Sequence, residues 1–194
     1  MPFLPLQTLW VNFTTQVFQA IGLGYGKPAE GLMGRKPRQP DEPILPRALI
    51  IWLVIVGVVM GVGTLSVISW AEQARTLEVG HTMGLVTFSL FNLFFSIAAK
   101  DELKTVFSLD TFSDKTFVIS TGLSVVAIIL ATVLGPLQKF LDTTSLDVQQ
   151  WLICLAVSLS IIVISEIRKA ILRRSTRPAA EVTVSAPQAA AVAA

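Results

Sequence analysis

Charge is scarce in this sequence. Lysine, arginine, aspartate and glutamate together make up 14% of its 194 residues, against about 25% in soluble domains. Apolar residues reach 53%, above the about 45–50% usual for soluble chains. This balance argues against a soluble globular domain, and no grouping of nucleophile and base suggests a soluble enzyme. Cysteine occurs once, at Cys154, which excludes an internal disulfide and leaves the redox compartment open. Histidine also occurs once, at His81. A lone histidine at a helix entrance reads as an interfacial group rather than a metal ligand. Basic residues are missing from the start: the first is Lys27, behind the first apolar run. That order lacks the charged flank of a secretory signal.

The few charges cluster, and long stretches between them carry none. About 20 uncharged apolar residues suffice to cross a bilayer core as a helix. Five runs are expected to span: residues 3–24, 48–71, 82–99, 116–134 and 151–172. Pro2 and Pro5 open the first, where proline costs least, and Gly22, Gly24 and Gly26 with Pro28 close it. The Gly22-x-Gly24-x-Gly26 spacing is not a phosphate cradle, because no strand precedes it and no helix opens after it. Trp52 and Trp70 lie near opposite ends of the second run, as interfacial anchors. Gly57 and Gly61 form a small-xxx-small pair, which predicts close helix packing there.

Glu72 to His81 reads as a short polar link, and Gly135-Pro136 closes the fourth run. The fifth run reaches 172 if Ile167, Ile171 and Leu172 continue the helix while basic side chains snorkel. Glu166, three residues before Lys169, reads as a local charge pair. Residues 175–194 form an alanine-rich tail without a core pattern and are expected to be disordered. The fold class is therefore all-α, a multi-pass transmembrane helical bundle of about five spans.

Basic residues set an orientation. Lys27, Arg35, Lys36, Arg38 and Arg47 fall in the first loop, and Lys100, Lys104 and Lys115 in the third. Arg168, Lys169, Arg173, Arg174 and Arg177 follow the last run, while the second and fourth loops hold only Arg75 and Lys139. The N-terminus is expected outside and the C-terminus in the cytoplasm. The first loop holds Pro28, Pro37, Pro40, Pro43 and Pro46 and should follow a stiff, extended path.

Two rows of polar residues lie inside the apolar runs. Thr8, Asn12, Thr15, Gln16 and Gln19 recur at helical spacing and fall within about one third of the helix circumference. In a membrane, neutral oxygen-bearing side chains need partners. A partly dehydrated cation is one, and hydrogen bonds to neighbouring helices are another. Ser89, Asn92 and Ser96 share one face of the third run and admit the same two readings.

These residues carry a resemblance. Leu9-Trp10-Val11-Asn12-Phe13-Thr14-Thr15-Gln16 resembles the sixth membrane helix of P-type cation-transporting ATPases of the calcium-pump kind. Met33-Gly34-Arg35-Lys36-Pro37-Arg38 and Glu42-Pro43-Ile44-Leu45 resemble that family's next loop. Gly135-Pro136-Leu137-Gln138-Lys139-Phe140, then Ser145-Leu146-Asp147 with Trp151, resemble the link between its last two helices. Glu166-Ile167-Arg168-Lys169 resembles its closing motif. Together they cover about Leu4 to Arg174, so residues 1–174 are expected to form the family's C-terminal membrane domain.

The resemblance implies that Asn12 and Thr15 are ligands of a transported cation, calcium or another small cation. Gln16 stands where calcium pumps usually carry aspartate, which keeps an oxygen and loses a full charge. Ser89 falls near a position where some pumps carry glutamate; Gln19, Ser89 and Asn92 are candidates for an ion path. Arg35 and Arg38 are candidates for docking a soluble domain. Asp114-Lys115-Thr116 copies three letters of the family's phosphorylated motif, but Phe117 and Val118 follow and an apolar run begins at once. A phosphorylatable aspartate needs a soluble domain that holds nucleotide and magnesium, so no catalytic residue is assigned.

The family's ATP- and magnesium-binding domains and five earlier helices have no counterpart in this sequence. The chain thus reads as a truncated or split portion of a pump, with no cofactor of its own and no ATP hydrolysis by itself. Its expected partners are the lipid bilayer of the cell membrane and the N-terminal part of the pump, with no nucleic acid. The alternative is a stand-alone accessory or pore-forming membrane protein.

Overall fold

The computed structural model describes residues 3–25, 45–100 and 114–176, with side chains to Arg173. All regular structure among the described residues is helical. The first run is helical from Pro5 to Gly24 in three pieces: α1 (Pro5–Val11), a π-helical turn (Asn12–Val17) and α2 (Phe18–Gly24). Then follow α3 (Arg47–Ala74), α4 (Leu77–Ala99), α5 (Lys115–Val133), the short α6 (Gly135–Leu141) and α7 (Val148–Thr176). The last four long helices, α3, α4, α5 and α7, are each long and apolar enough to cross a membrane. A helix satisfies its backbone polar groups internally, so even the β-branched run of α3 has no cheaper conformation in lipid.

Local chemistry fixes the ends. Thr76 caps α4, its Oγ1 accepting the Val79 N–H at 3.3 Å, and Glu78 sits in the first turn where the helix dipole favours a carboxylate. Pro136 opens α6, and Asp142 closes it in the left-handed region at φ 51°. Gln7, fully buried, donates Nε2–H to the Leu141 carbonyl at 2.9 Å and ties the start of α1 to that turn.

The helices run up and down, with α4 at the centre. It packs against α3 on one side and α7 on another, and also touches α5 and the first run. In its most apolar stretch 67% of residues are buried, against 22% in α3. Met83, Val86, Leu90 and Leu93 of α4 meet Val67 and Ala71 of α3, Ile128 of α5 and Cys154 of α7. A second cluster joins Val56, Phe91 and Ile161. The outer faces are apolar: Ile51, Val54, Val62, Ile119, Val163 and Ile171 are all exposed. Water would not tolerate a belt of that extent, whereas lipid chains solvate it.

Several expectations change. The link 72–81 shrinks to Arg75 and Thr76, because α3 runs to Ala74 and α4 starts at Leu77. Glu72 and His81 fall inside the two helices, with His81 Nε2 3.8 Å from Glu72 Oε1. Helix α7 begins three residues before Trp151 and continues through Ser175 and Thr176. Residues 177–194 lie outside the described residues. Gly57 and Gly61 make no close helix contact among the described residues, since a Cβ at either would meet nothing within 4 Å. The close approach is made one face over, where Gly63 receives the Phe91 ring and Gly84 receives Ile68. The Glu166–Lys169 pair forms at 3.9 Å, and Arg173 joins it at 3.4 Å.

Candidate functional site

The polar stripe of the first run passes through the π-helical turn, which holds Asn12, Thr15 and Gln16. The wider turn changes which residues share a face. Gln7, Val11, Thr15 and Gln19, four residues apart, are all buried. In an α-helix an interval of four drifts by about 40° each time, and the wider turn offsets that drift. Asn12 and Gln16 fall outside this buried row and are exposed beside Leu9, Phe13 and Val17. Thr15 Oγ1 donates to the Val11 carbonyl at 2.6 Å, and Thr14, also buried, donates to the Trp10 carbonyl at 2.7 Å. Thr8 is exposed and bonds to Leu4.

Gln19 is the junction of a buried polar cluster. Its Oε1 accepts from Ser96 of α4 at 2.7 Å and from Thr121 of α5 at 3.4 Å. Its Nε2 donates to Ser124 Oγ of α5 at 3.3 Å. Ser124 Oγ also lies 3.0 Å from the Thr14 carbonyl, inside the π-helical turn. Gly22 brings α2 and α5 together, since a Cβ there would collide with Ser120 Oγ. Ser89 is buried on α4, while Asn92 is half-buried and donates to the Phe88 carbonyl of its own helix at 2.8 Å. The structure therefore joins Gln19 to Ser96, Thr121 and Ser124, and leaves Asn12 and Gln16 on the open side. Sequence reasoning missed Gln7, Thr14 and the α5 residues. The spacing of Ser120, Thr121 and Ser124, one polar stripe in the fourth run, was the available signal.

Asp114 has a structural task. Its Oδ1 accepts the N–H groups of Thr116 and Phe117 at 3.1 and 3.4 Å and so caps α5. Its Oδ2 pairs with Lys100 Nζ at 3.0 Å, and that ammonium lies 4.2 Å from the Phe117 ring centroid. Asp114 is only 4% exposed. No group of three or more histidine, cysteine, aspartate or glutamate residues could hold a metal ion among the described residues. Arg35 and Arg38 lie outside the described residues.

An all-helical bundle with an apolar belt and polar clusters buried between its helices is a polytopic integral membrane protein. The chain belongs to the family described as cation transporting ATPase, C-terminus, whose match spans residues 1–171. It is 31% identical over 178 residues to calcium-transporting ATPase 1 of Schizosaccharomyces pombe, covering 89% of this chain and 19% of that protein. It is 28% identical over 160 residues to a calcium-transporting ATPase of Bacillus subtilis, covering 81% of this chain and 18% of the relative. With the probable cation-transporting ATPase F of Mycobacterium tuberculosis it shares 24% over 165 residues, 84% of this chain and 18% of that protein. The chain thus spans less than a fifth of the length of these relatives.

Proposed function

We infer that this domain works in the membrane part of an ATP-driven cation pump, where Asn12 and Gln16 from the open side and Thr15 from the buried side supply oxygens to the transported ion. One observation carries the reading: the π-helical turn coincides with the segment that holds all three residues. Such turns occur often at functional sites, because widening the helix disturbs its carbonyl pairing. The open side supports it further. Two amides exposed among Leu9, Phe13 and Val17 would be unsatisfied in lipid. They call for cover by other membrane helices of the pump, by water or by the ion. All three residues are neutral, so a divalent cation would draw its carboxylates from elsewhere.

In this reading the first run is the first of five spans, with residues 1–174 as one membrane domain of the cell membrane. The ion is calcium or another small cation. ATP and magnesium bind only to soluble domains in another part of the pump, and Arg35 and Arg38 dock that part. Gln19, Ser89 and Asn92 border the ion path.

The test is a chimera in which this domain replaces the matching stretch of the Bacillus subtilis relative. Asn12→Ala and Thr15→Ala should each weaken the cation dependence of ATP hydrolysis about tenfold, as loss of a charge-assisted contact of roughly 1.4 kcal/mol would. Gln16→Asp should strengthen it for divalent ions. If Gln16→Asp changes nothing while Thr14→Ala shifts the dependence, the site is on the other face.

The orientation has its own test. Cys154 is fully buried, with Sγ 3.6 Å from the Met83 carbonyl. It should ignore an impermeant thiol reagent on intact cells, so the native chain serves as background. Ser145→Cys, at the end with few basic residues, should label, and Leu45→Cys should not. The reverse pattern would invert the topology.

A further inference from the structure

At the basic end of the bundle, α3, α4 and α7 leave a cleft of about 90 Å³. Leu49 and Trp52 of α3, Phe95 of α4, and Ser165, Arg168 and Lys169 of α7 line it. Its floor and walls are apolar, yet its polar groups are of one kind. The Arg168 guanidinium lies over the Trp52 ring, 4.9 Å from its centroid, and pairs with no carboxylate among the described residues. Lys169 is 4% exposed. Ser165 is 3% exposed, and its Oγ has no hydrogen-bond partner among the described residues. A buried hydroxyl without a partner is costly unless something absent from the protein chain supplies one. Arg168, Lys169, Arg173 and Arg174 all lie in the last turns of α7, where Lys169 and Arg173 pair with Glu166. The first turn of α3 opens on the same cleft with its positive dipole end and carries no acidic residue of its own.

We propose that this cleft binds the phosphate headgroup of an anionic phospholipid. A cleft of this size has room for a headgroup's phosphate but is far too small for a whole lipid. Glycerol and acyl chains would lie outside it, along the exposed Ile50, Leu53, Ile167 and Ile171 that flank it on α3 and α7. Arg168 offers a planar fork that matches two phosphate oxygens, held in place by the indole face. Ser165 donates a hydroxyl, and Lys169 contributes charge. Trp52 stands where an interfacial tryptophan meets headgroups. The proposal needs the chain in a bilayer and does not depend on which cation the pump carries.

The test uses the purified full chain in phosphatidylcholine vesicles with brominated phosphatidylglycerol as probe, read through quenching of tryptophan fluorescence. Brominated phosphatidylglycerol should quench at about one tenth the mole fraction that brominated phosphatidylcholine requires, the ratio for one well-made charged contact. Ser165→Ala, nearly isosteric and expected to fold, should reduce that preference about threefold, and Arg168→Gln should abolish it. Lys115→Gln, an exposed charge at the same end on α5, should leave it intact. Equal quenching by both lipids overturns the proposal. So does an equal loss with Lys115→Gln, which would mean diffuse attraction to a basic surface. Full displacement of the lipid by millimolar inorganic phosphate would also overturn it, since the site would then hold a free anion.

Discussion

Asp114→Asn is expected to destabilise the chain by about 2 kcal/mol, within the range for losing a hydrogen bond to a charged group. The asparagine keeps an oxygen for the Thr116 and Phe117 N–H groups, so the helix cap survives. What disappears is the charge facing Lys100, whose side chain is 13% exposed. The Phe117 ring beneath the ammonium softens the loss. Asp114→Ala removes the cap as well and should cost about 1 kcal/mol more. Adding Lys100→Met to Asp114→Asn should restore most of the stability, because a methionine needs no counter-charge. Reversible unfolding in mixed micelles, followed by tryptophan fluorescence, gives all three changes. A double variant no more stable than Asp114→Asn alone would show that the pair is not what Asp114 serves.

The second large effect lies between α3 and α4. A Cβ added at Gly63 would lie 2.8 Å from Phe91 Cζ and 3.0 Å from its Cε2. Phe91 is fully buried, between Val56 and Ile161, so the ring has nowhere to go. Gly63→Leu should cost about 3 kcal/mol by overpacking. Phe91→Ala should cost about 3–5 kcal/mol by leaving a cavity. Combining Gly63→Ala with Phe91→Leu should be milder than the sum of the two by more than about 1 kcal/mol, as expected of residues in contact. Gly57→Ala and Gly61→Ala face open space, and each should stabilise the isolated chain by up to about 1 kcal/mol through helix propensity. The same unfolding assay decides. A penalty at Gly57 or Gly61 equal to that at Gly63 would place the helix contact on the wrong face.

The helices were legible because charge avoids them. Runs bounded by Arg47, Lys100 and Lys115 needed only length and composition to be read. Their ends were less legible. Glu72 and His81 look like loop residues in sequence, but both lie inside helices and face each other across the α3–α4 turn. The small-xxx-small pair was legible as a motif and not as a contact, because the face α3 turns to α4 is set by the Phe91 ring. The Gln19 cluster was half legible: Ser96 was noted, but its partners on α5 lie more than 100 residues from Gln19. The division of Asn12 and Gln16 from Thr15 was not legible at all. A constant 100° per residue leaves Asn12 about 60° from Thr15, and the wider turn opens that angle.

The central position of α4 has a consequence in time. Ser158 Oγ of α7 meets the Thr87 carbonyl, and Cys154 meets that of Met83, across 71 residues in each case. At a synthesis rate of about 5–20 residues per second, roughly 4–14 s separate the two helices at the ribosome. Throughout that interval α4 has entered the membrane with Thr82, Thr87 and Ser89 in place and the flank destined for α7 bare. A helix with that many hydroxyls is poorly suited to face hydrocarbon alone. The insertion machinery, or another helix standing in, must therefore shelter it until the last span arrives. Chains that stall before α7 would leave the flank of α4 that α7 covers without it.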